Sequence, residues 1–249
     1  MRDGRQPMEM QYSDWCGFRR ADFRFEDRDA LIVFPNHDGW GNGRLMMKME
    51  YFGAFPNAEI ELVRRGFNLA YVANETRWCK DSDVDAKADF VRFLADKYGF
   101  EEKCAVVGMS CGGMIGVKFA AKYPDMVSAL YLDAPVMNLL SCPAGLGRGG
   151  NSMWEEFKRA RGMDMAQLIS YRYNPIDVMD SLAEHKKPVL LVCGDSDSVV
   201  PYEENGALLR ECYEKHGVPI TVIVKEGCDH HPHGFDDPAP IVEFIERNA

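Results

Sequence analysis

Four stretches of the chain are apolar at consecutive positions rather than at alternate ones: ALIVF (Ala30–Phe34), NLAYVA (Asn68–Ala73), CAVVG (Cys104–Gly108) and PVLLVCG (Pro188–Gly194). Each is short, rich in β-branched residues and bounded by turn formers. A strand with this pattern is covered on both faces, as happens when a parallel sheet is sandwiched between helices. VSALYLD (Val127–Asp133) and ITVIVKE (Ile220–Glu226) add a fifth and a sixth. Helical patterns lie between them. Asp83–Tyr98 places Phe90, Phe93, Leu94 and Tyr98 on one face, Gly113–Tyr123 is apolar and small, and Tyr202–His216 and Pro240–Arg247 are amphipathic. Upstream, WCGFRRADFRFED alternates, which predicts an antiparallel ribbon at the sheet edge. Strands alternating with helices predict an α/β protein, a three-layer α/β/α sandwich around a mostly parallel sheet.

One segment breaks the rhythm. From Val136 to Lys187 turns and short helical patterns occur without a convincing strand. The expected organisation is therefore a single domain over residues 1–249. Its core is formed by 17–135 and 188–249, with a small cap or lid insertion at about 136–187 lying over the edge of the sheet. Gly145, Gly147 and Gly150 match G-x-G-x-x-G. A dinucleotide loop must follow a strand and open a long helix; NLLSCPA precedes this one, so it reads as a loop and no cofactor is expected.

Composition removes several function classes. The chain carries 29 Lys and Arg against 39 Asp and Glu, a net charge of −10 without a basic run, which is unsuited to gripping phosphate backbones. The first residues lack the apolar core of a signal peptide, and no apolar stretch approaches a membrane span. Eight cysteines are scattered without a C-x-x-C pair, several within predicted strands, a pattern of buried thiols suited to a reducing cytoplasm. The expected partner is a small-molecule substrate rather than nucleic acid or membrane, with homo-oligomer formation left open.

The chemistry begins at VVGMSCGGM, where a predicted strand ends at Gly108 and a helix starts near Gly112. A serine on a sharp strand-to-helix turn is the setting of a nucleophile elbow, and the tight turn needs glycine on either side. Ser110 is the candidate nucleophile, and the Cys111 backbone N–H at the helix start is a candidate oxyanion donor. A serine needs a base and the base an orienting acid. After PVLLVCG comes DSDSVVP; Asp195 suits the turn itself, and Asp197, further along, is the preferred acid, with Asp133 third. After ITVIVKE comes GCDHHPHG, where His230 stands first past the loop as the candidate base. His231 and His233 would line the mouth or support the loop. Cys228, Asp229 and the three histidines are all metal-ligand types, but neighbours in sequence do not readily converge on one ion, so no metal is expected. A second oxyanion donor is sought in PNHDGWGNG, at Gly39 and Trp40, with His37 near the site. His185 and His216 read as surface residues. Within the insertion, Arg148, Trp154, Tyr171, Arg172 and Tyr173 could stack on or pair with a substrate.

Three motifs in this order, GMSCGG, GDSDSVVP and GCDHHPHG, each after its own strand, resemble the α/β-hydrolase superfamily over nearly the whole chain from about Phe18. The resemblance implies a mostly parallel sheet of about eight strands and a serine hydrolase that cleaves a carboxylic ester through an acyl-enzyme. FGAFP, YLDAPV and HHPHGFDDPAPIVEFI also look like a bacterial subgroup associated with polysaccharide breakdown, which implies an ester on a sugar. The chain departs from the pattern at Cys111, after the nucleophile, and at the oxyanion loop, where Asp38 separates His37 from Gly39. The superfamily also contains thioesterases, lyases and transferases, and α/β-hydrolase domains that only bind ligands, so fold alone does not decide the reaction.

Overall fold

The alternating ribbon folds into an antiparallel meander of β1 (Gln11–Trp15), β2 (Phe18–Phe25) and β3 (Arg28–Phe34). The remaining strands are β4 (Leu45–Lys48), β5 (Asn68–Val72), β6 (Cys104–Met109), β7 (Val127–Asp133), β8 (Val189–Gly194) and β9 (Thr221–Lys225). The structure is a computed structural model and describes residues 9–35 and 42–249. Its sheet has the order β1-β2-β3-β5-β4-β6-β7-β8-β9, antiparallel through the β3–β5 pair and parallel from there on. The exposed edge strand β1 brings the sheet to nine strands rather than about eight.

Strand β4 and helix α1 (Asn57–Arg64) go beyond the sequence expectation. LMMK is four residues long and built on methionine, which carries no β-branched signal. Its burial on all sides follows from its place between β5 and β6.

The other helices are α2 (Asp81–Tyr98), α3 (Cys111–Lys122), α4 (Trp154–Arg161), α5 (Met165–Ser170), α6 (Pro175–Val178), α7 (Asp180–Glu184), α8 (Gly206–Lys215) and α9 (Ala239–Asn248). Side chains alternate across a strand, so each buried strand feeds two cores. Leu31, Val33, Ala105 and Val107 face α1 and α9 with Leu62 and Ile245. Ile32, Phe34, Val106 and Leu130 face α2 and α3 with Leu94 and Val117. Fully burying each such Val, Leu or Ile stabilises the fold by about 1.5–3 kcal/mol. That is why these strands show no polar face in the sequence.

Between β7 and β8 the chain forms α4–α7 and no strand. This segment packs α6 and α7 on α3, and α7 on α8. Phe157 of α4 is buried edge-on against Trp78, with ring centroids 5.5 Å apart. It therefore joins the helical layer on the α3 face rather than lying over the sheet's edge. All eight cysteines are free thiols, six of them buried. No helix among the described residues is long and apolar enough to cross a membrane.

Candidate active site

Ser110 stands between β6 and α3 at φ 51° and ψ −119°, a conformation that costs a non-glycine residue of order 1–3 kcal/mol. The surroundings hold it there. The Ser110 N–H donates to the Asp133 carbonyl at 2.9 Å, and the Ser110 carbonyl accepts from Gly113 and Val136. The turn closes so tightly that a Cβ at Gly108 would lie 2.6 Å from the Gly112 carbonyl oxygen, and one at Gly113 would lie 2.4 Å from Pro135. The steric demand thus falls on Gly108 and Gly113. A Cβ at Gly112 would meet only Glu50, its nitrogen at 3.2 Å and its Cβ at 3.3 Å, a tight but lesser contact.

The loops after β8 and β9 bring an acid and a base to this serine. His230 Nε2 is 3.0 Å from Ser110 Oγ, and His230 Nδ1 is 2.8 Å from Asp197 Oδ2. The other carboxylate oxygen of Asp197 accepts the N–H groups of Val199 and Val200 at 2.9 and 2.7 Å, which fixes its plane. Because the carboxylate can only accept, Nδ1 carries the proton and Nε2 is left to accept from the serine hydroxyl. Both Asp197 and His230 are buried. Asp195 does something else: it accepts from the Gly227 N–H at 2.7 Å and from Ser196 Oγ, serving the turn. Asp229 ties the two loops together, accepting from Ser198 and from the His230 N–H, and these N–H bonds hold its carboxyl below the usual range.

A second Asp–His pair stands beside the first. His233 Nδ1 is 2.8 Å from Asp133 Oδ1, and the other Asp133 oxygen accepts from the Gly234 N–H at 2.7 Å and Tyr131 Oη at 2.9 Å. Burial pushes the Asp133 carboxyl up, but His233, Lys225 and Gly234 outweigh it and hold the group below its ordinary value. The rings of His230, His231 and His233 lie edge-on to one another with centroids 4.8–4.9 Å apart. Sequence neighbours as they are, one ring nitrogen of each lies within 4.8 Å of the others.

Among the described residues, the loop that reaches Ser110 from the other side is the one after β4. Strand β3 runs antiparallel to β5, so its end at Phe34 faces the start of β5, at the sheet edge opposite Ser110. Asn42 and Gly43 also sit at that opposite edge, bonding Gly66 and Glu101. His37, Gly39 and Trp40 lie outside the described residues. Past β4, the Met49 N–H bonds the Val107 carbonyl, and the chain runs beside the elbow through Glu50 and Tyr51. Asn74 donates to the Met49 carbonyl at 2.8 Å and to the Glu50 carboxylate at 2.5 Å. Buried Lys48 pairs with Glu59 and reaches the Ala54 carbonyl at 3.3 Å, pinning the far side. Tyr51 packs its hydroxyl against the Cys111 thiol and Arg77, and burial first, then Cys111, raises that hydroxyl far above the usual phenol range. Burial also pushes the Cys111 thiol up to about 11, so it stays protonated and non-nucleophilic at neutral pH. The sequence alone does not point to Glu50, Tyr51, Asn74 or Arg77. Glu50 and Tyr51 follow a strand too short to read, and no motif marks the other two.

The insertion residues go elsewhere. Tyr171 Oη bonds Lys118 Nζ at 3.0 Å and Arg161 at 3.3 Å. Tyr173 takes the Lys118 ammonium on its ring face, and Arg172 bonds the carbonyls of Ile169 and Tyr171. Trp154 stacks on Phe157. Tyr171 and Tyr173 thus hold the insertion to Lys118 of α3, while Arg172 and Trp154 make their contacts within the insertion. Arg148 is exposed, 3.6 Å from Glu203, on a loop whose Gly149 packs against Val199 beside the acid. His231 is exposed on the rim and stacks on Phe55. His185 and His216 bond carbonyls at helix ends.

Strand order, elbow and the Ser–His–Asp arrangement together define an α/β-hydrolase fold. The model of the prolyl oligopeptidase family matches residues 70–248, and the chain belongs to that family, whose members are serine hydrolases of the α/β-hydrolase superfamily. Among solved structures it is similar to puromycin hydrolase, at 21% identity and TM-score 0.69, with 98% of this chain and 39% of that one covered. It is similar to the acylaminoacyl peptidase of Pyrococcus horikoshii at 16% identity and TM-score 0.70, covering 98% and 42%. Porphyromonas gingivalis dipeptidyl peptidase 4 matches at 16% identity and TM-score 0.68, covering 98% and 36%. The chain thus spans about two fifths of the length of these structures.

Proposed function

We propose that this chain is a serine hydrolase that cleaves small acyl amides and esters through an acyl-enzyme on Ser110. The observation that carries the reading is the unbroken relay from Asp197 through His230 to Ser110, at 2.8 and 3.0 Å, ending on a serine held in a strained turn. His230 takes the Ser110 proton as Oγ attacks the carbonyl carbon, and Asp197 stabilises the imidazolium that results. His230 then protonates the leaving amine or alcohol, and water repeats the cycle on the acyl-enzyme.

The oxyanion falls to two donors. The Cys111 N–H opens α3 and has no acceptor within the helix. The second belongs to the β4 loop. Within it we assign the Tyr51 hydroxyl, which stands beside Cys111, the residue after the nucleophile, and which burial keeps protonated; the Tyr51 N–H is already given to Glu50 at 3.2 Å. One such donor is worth about 3 kcal/mol. Tyr51→Phe should therefore lower kcat roughly a hundredfold while leaving KM within a few-fold; an unchanged kcat removes Tyr51 from the machinery.

Ester cleavage is the reaction expected from the sequence. The peptidase names among the similar structures put amides beside it, because protonation of a leaving amine by His230 uses the same geometry. Labelling with a fluorophosphonate probe, together with rates on a p-nitrophenyl ester panel and a panel of aminoacyl and dipeptidyl p-nitroanilides, tests the reading. Wild type should label and turn over at least one panel, and Ser110→Ala should do neither while melting near wild type. Hydrolysis that survives in Ser110→Ala sinks the assignment, and the faster panel names the bond.

A further inference from the structure

We propose that His230, His231 and His233 form a transition-metal site, fitted to Zn2+, whose occupation switches the hydrolase off by taking the lone pair that Ser110 needs. The three residues each bring a ring nitrogen within 4.8 Å of the others. Two of the rings are prepared for a metal. Asp197 holds Nδ1 of His230 and Asp133 holds Nδ1 of His233, each at 2.8 Å, which directs the lone pair of each to Nε2. A carboxylate behind the imidazole is the arrangement that orients metal-bound histidine and raises its basicity. His231 completes the set from the exposed rim.

Zinc sits about 2.0–2.1 Å from imidazole nitrogen, which puts tetrahedral ligand atoms about 3.4 Å apart. Nitrogens at the full 4.8 Å must therefore close by about 1.4 Å, and His231, exposed and stacked only on rings, is the residue placed to make most of that movement. Three neutral imidazoles leave a fourth position for water or a substrate oxygen, and they suit Zn2+, Cu2+ or Ni2+ better than Mg2+ or Ca2+. Ser110 Oγ lies 3.0 Å from His230 Nε2, so a metal on that nitrogen breaks the serine–base hydrogen bond. The switching half of the proposal rests on the hydrolase reading above; the binding half does not.

Two measurements on tag-free protein separate the halves. Calorimetric titration with zinc chloride should show one strong site in wild type and in Ser110→Ala, weakened at least about tenfold in His231→Gln and in His233→Gln. His216→Gln is the control, because Asp180, Cys212 and His216 are the other described residues grouped closely enough to hold an ion. Zinc affinity unchanged in His231→Gln and His233→Gln, or lost in His216→Gln, overturns the site. In the rate assay, zinc should suppress wild-type hydrolysis at least about tenfold, reversibly with EDTA. His231→Gln should need at least about tenfold more zinc for the same fractional loss of its own rate. Zinc that binds in calorimetry yet leaves or raises the rate overturns the switch. A chain without hydrolysis in metal-free buffer overturns the hydrolase reading, while the calorimetric titration still decides the metal site.

Discussion

Two aspartate–histidine pairs lie side by side in this molecule, and by their own geometry they are hard to tell apart. Asp197–His230 and Asp133–His233 both close at 2.8 Å between Nδ1 and carboxylate. Both are buried, and both aspartates stand at or just past the C-terminal end of a parallel strand, β8 and β7. They differ at the far side of the ring. His230 presents Nε2 to Ser110, whereas the His233 ring stands edge-on to those of the other two histidines. They differ also in what the carboxylate's second oxygen does. Asp197 takes two N–H groups of its own loop, while Asp133 takes the Gly234 N–H and the Tyr131 hydroxyl and so binds the histidine loop to the sheet. In the proposed mechanism the same residue pair is thus a proton relay in one place, and in the other it is a clasp. The opposing serine decides which.

The comparison breaks most readily at the relay. Asp197→Asn keeps the shape but cannot hold the Nδ1–H tautomer, so kcat should fall about 10³–10⁴-fold. The melting temperature should move by only a few degrees. If Asp133→Asn costs more activity than Asp197→Asn, the roles assigned to the two pairs are reversed.

How far the sequence anticipates this contrast depends on the length of the signal. Continuous apolar runs with turn residues after them place Ser110, Asp197 and His230 at loop starts on one sheet edge, and the fold follows from their alternation with helices. Position in the loop favours Asp197 over Asp195, and the structure shows why: Asp195 spends its carboxylate on Gly227 and Ser196. The β4 loop is not legible, because LMMK is short and Met-based, and without that strand the loop after β3 becomes the natural place to seek an oxyanion donor. The clasp is not legible either. Nothing in YLDAPV or HHPHG says that residues 100 positions apart share a hydrogen bond; it takes the pairing of β7 with β8, and of β8 with β9 ahead of the histidine loop, to bring them together.

The clasp should fail as structure rather than as chemistry. Asp133→Asn leaves His233, Gly234 and Tyr131 facing a neutral amide in a buried place, and breaking one partner of such a pair costs about 3 kcal/mol or more. For a chain of this size that is roughly a 6–12 °C drop in melting temperature, with kcat within about tenfold of wild type below the transition. A variant that melts like wild type would show that the histidine loop is held by other contacts.

The smallest effect is the most specific to the clasp, and it lies in the acid limb of stability. The Asp133 carboxyl is held below its ordinary value in the folded chain, although burial alone would raise it, because His233, Lys225 and Gly234 favour its charged form. A carboxyl depressed on folding adds stability that is fully present above its unfolded value of about 3.9 and is lost as pH falls through the folded value. The melting difference between wild type and Asp133→Asn should therefore hold near pH 5 and shrink steadily from about pH 4 downward. Thermal melts at half-unit steps from pH 5 to pH 2.5 read it directly. A difference that stays constant to the lowest pH at which both variants fold would mean that Asp133 contributes through its shape and not through its charge.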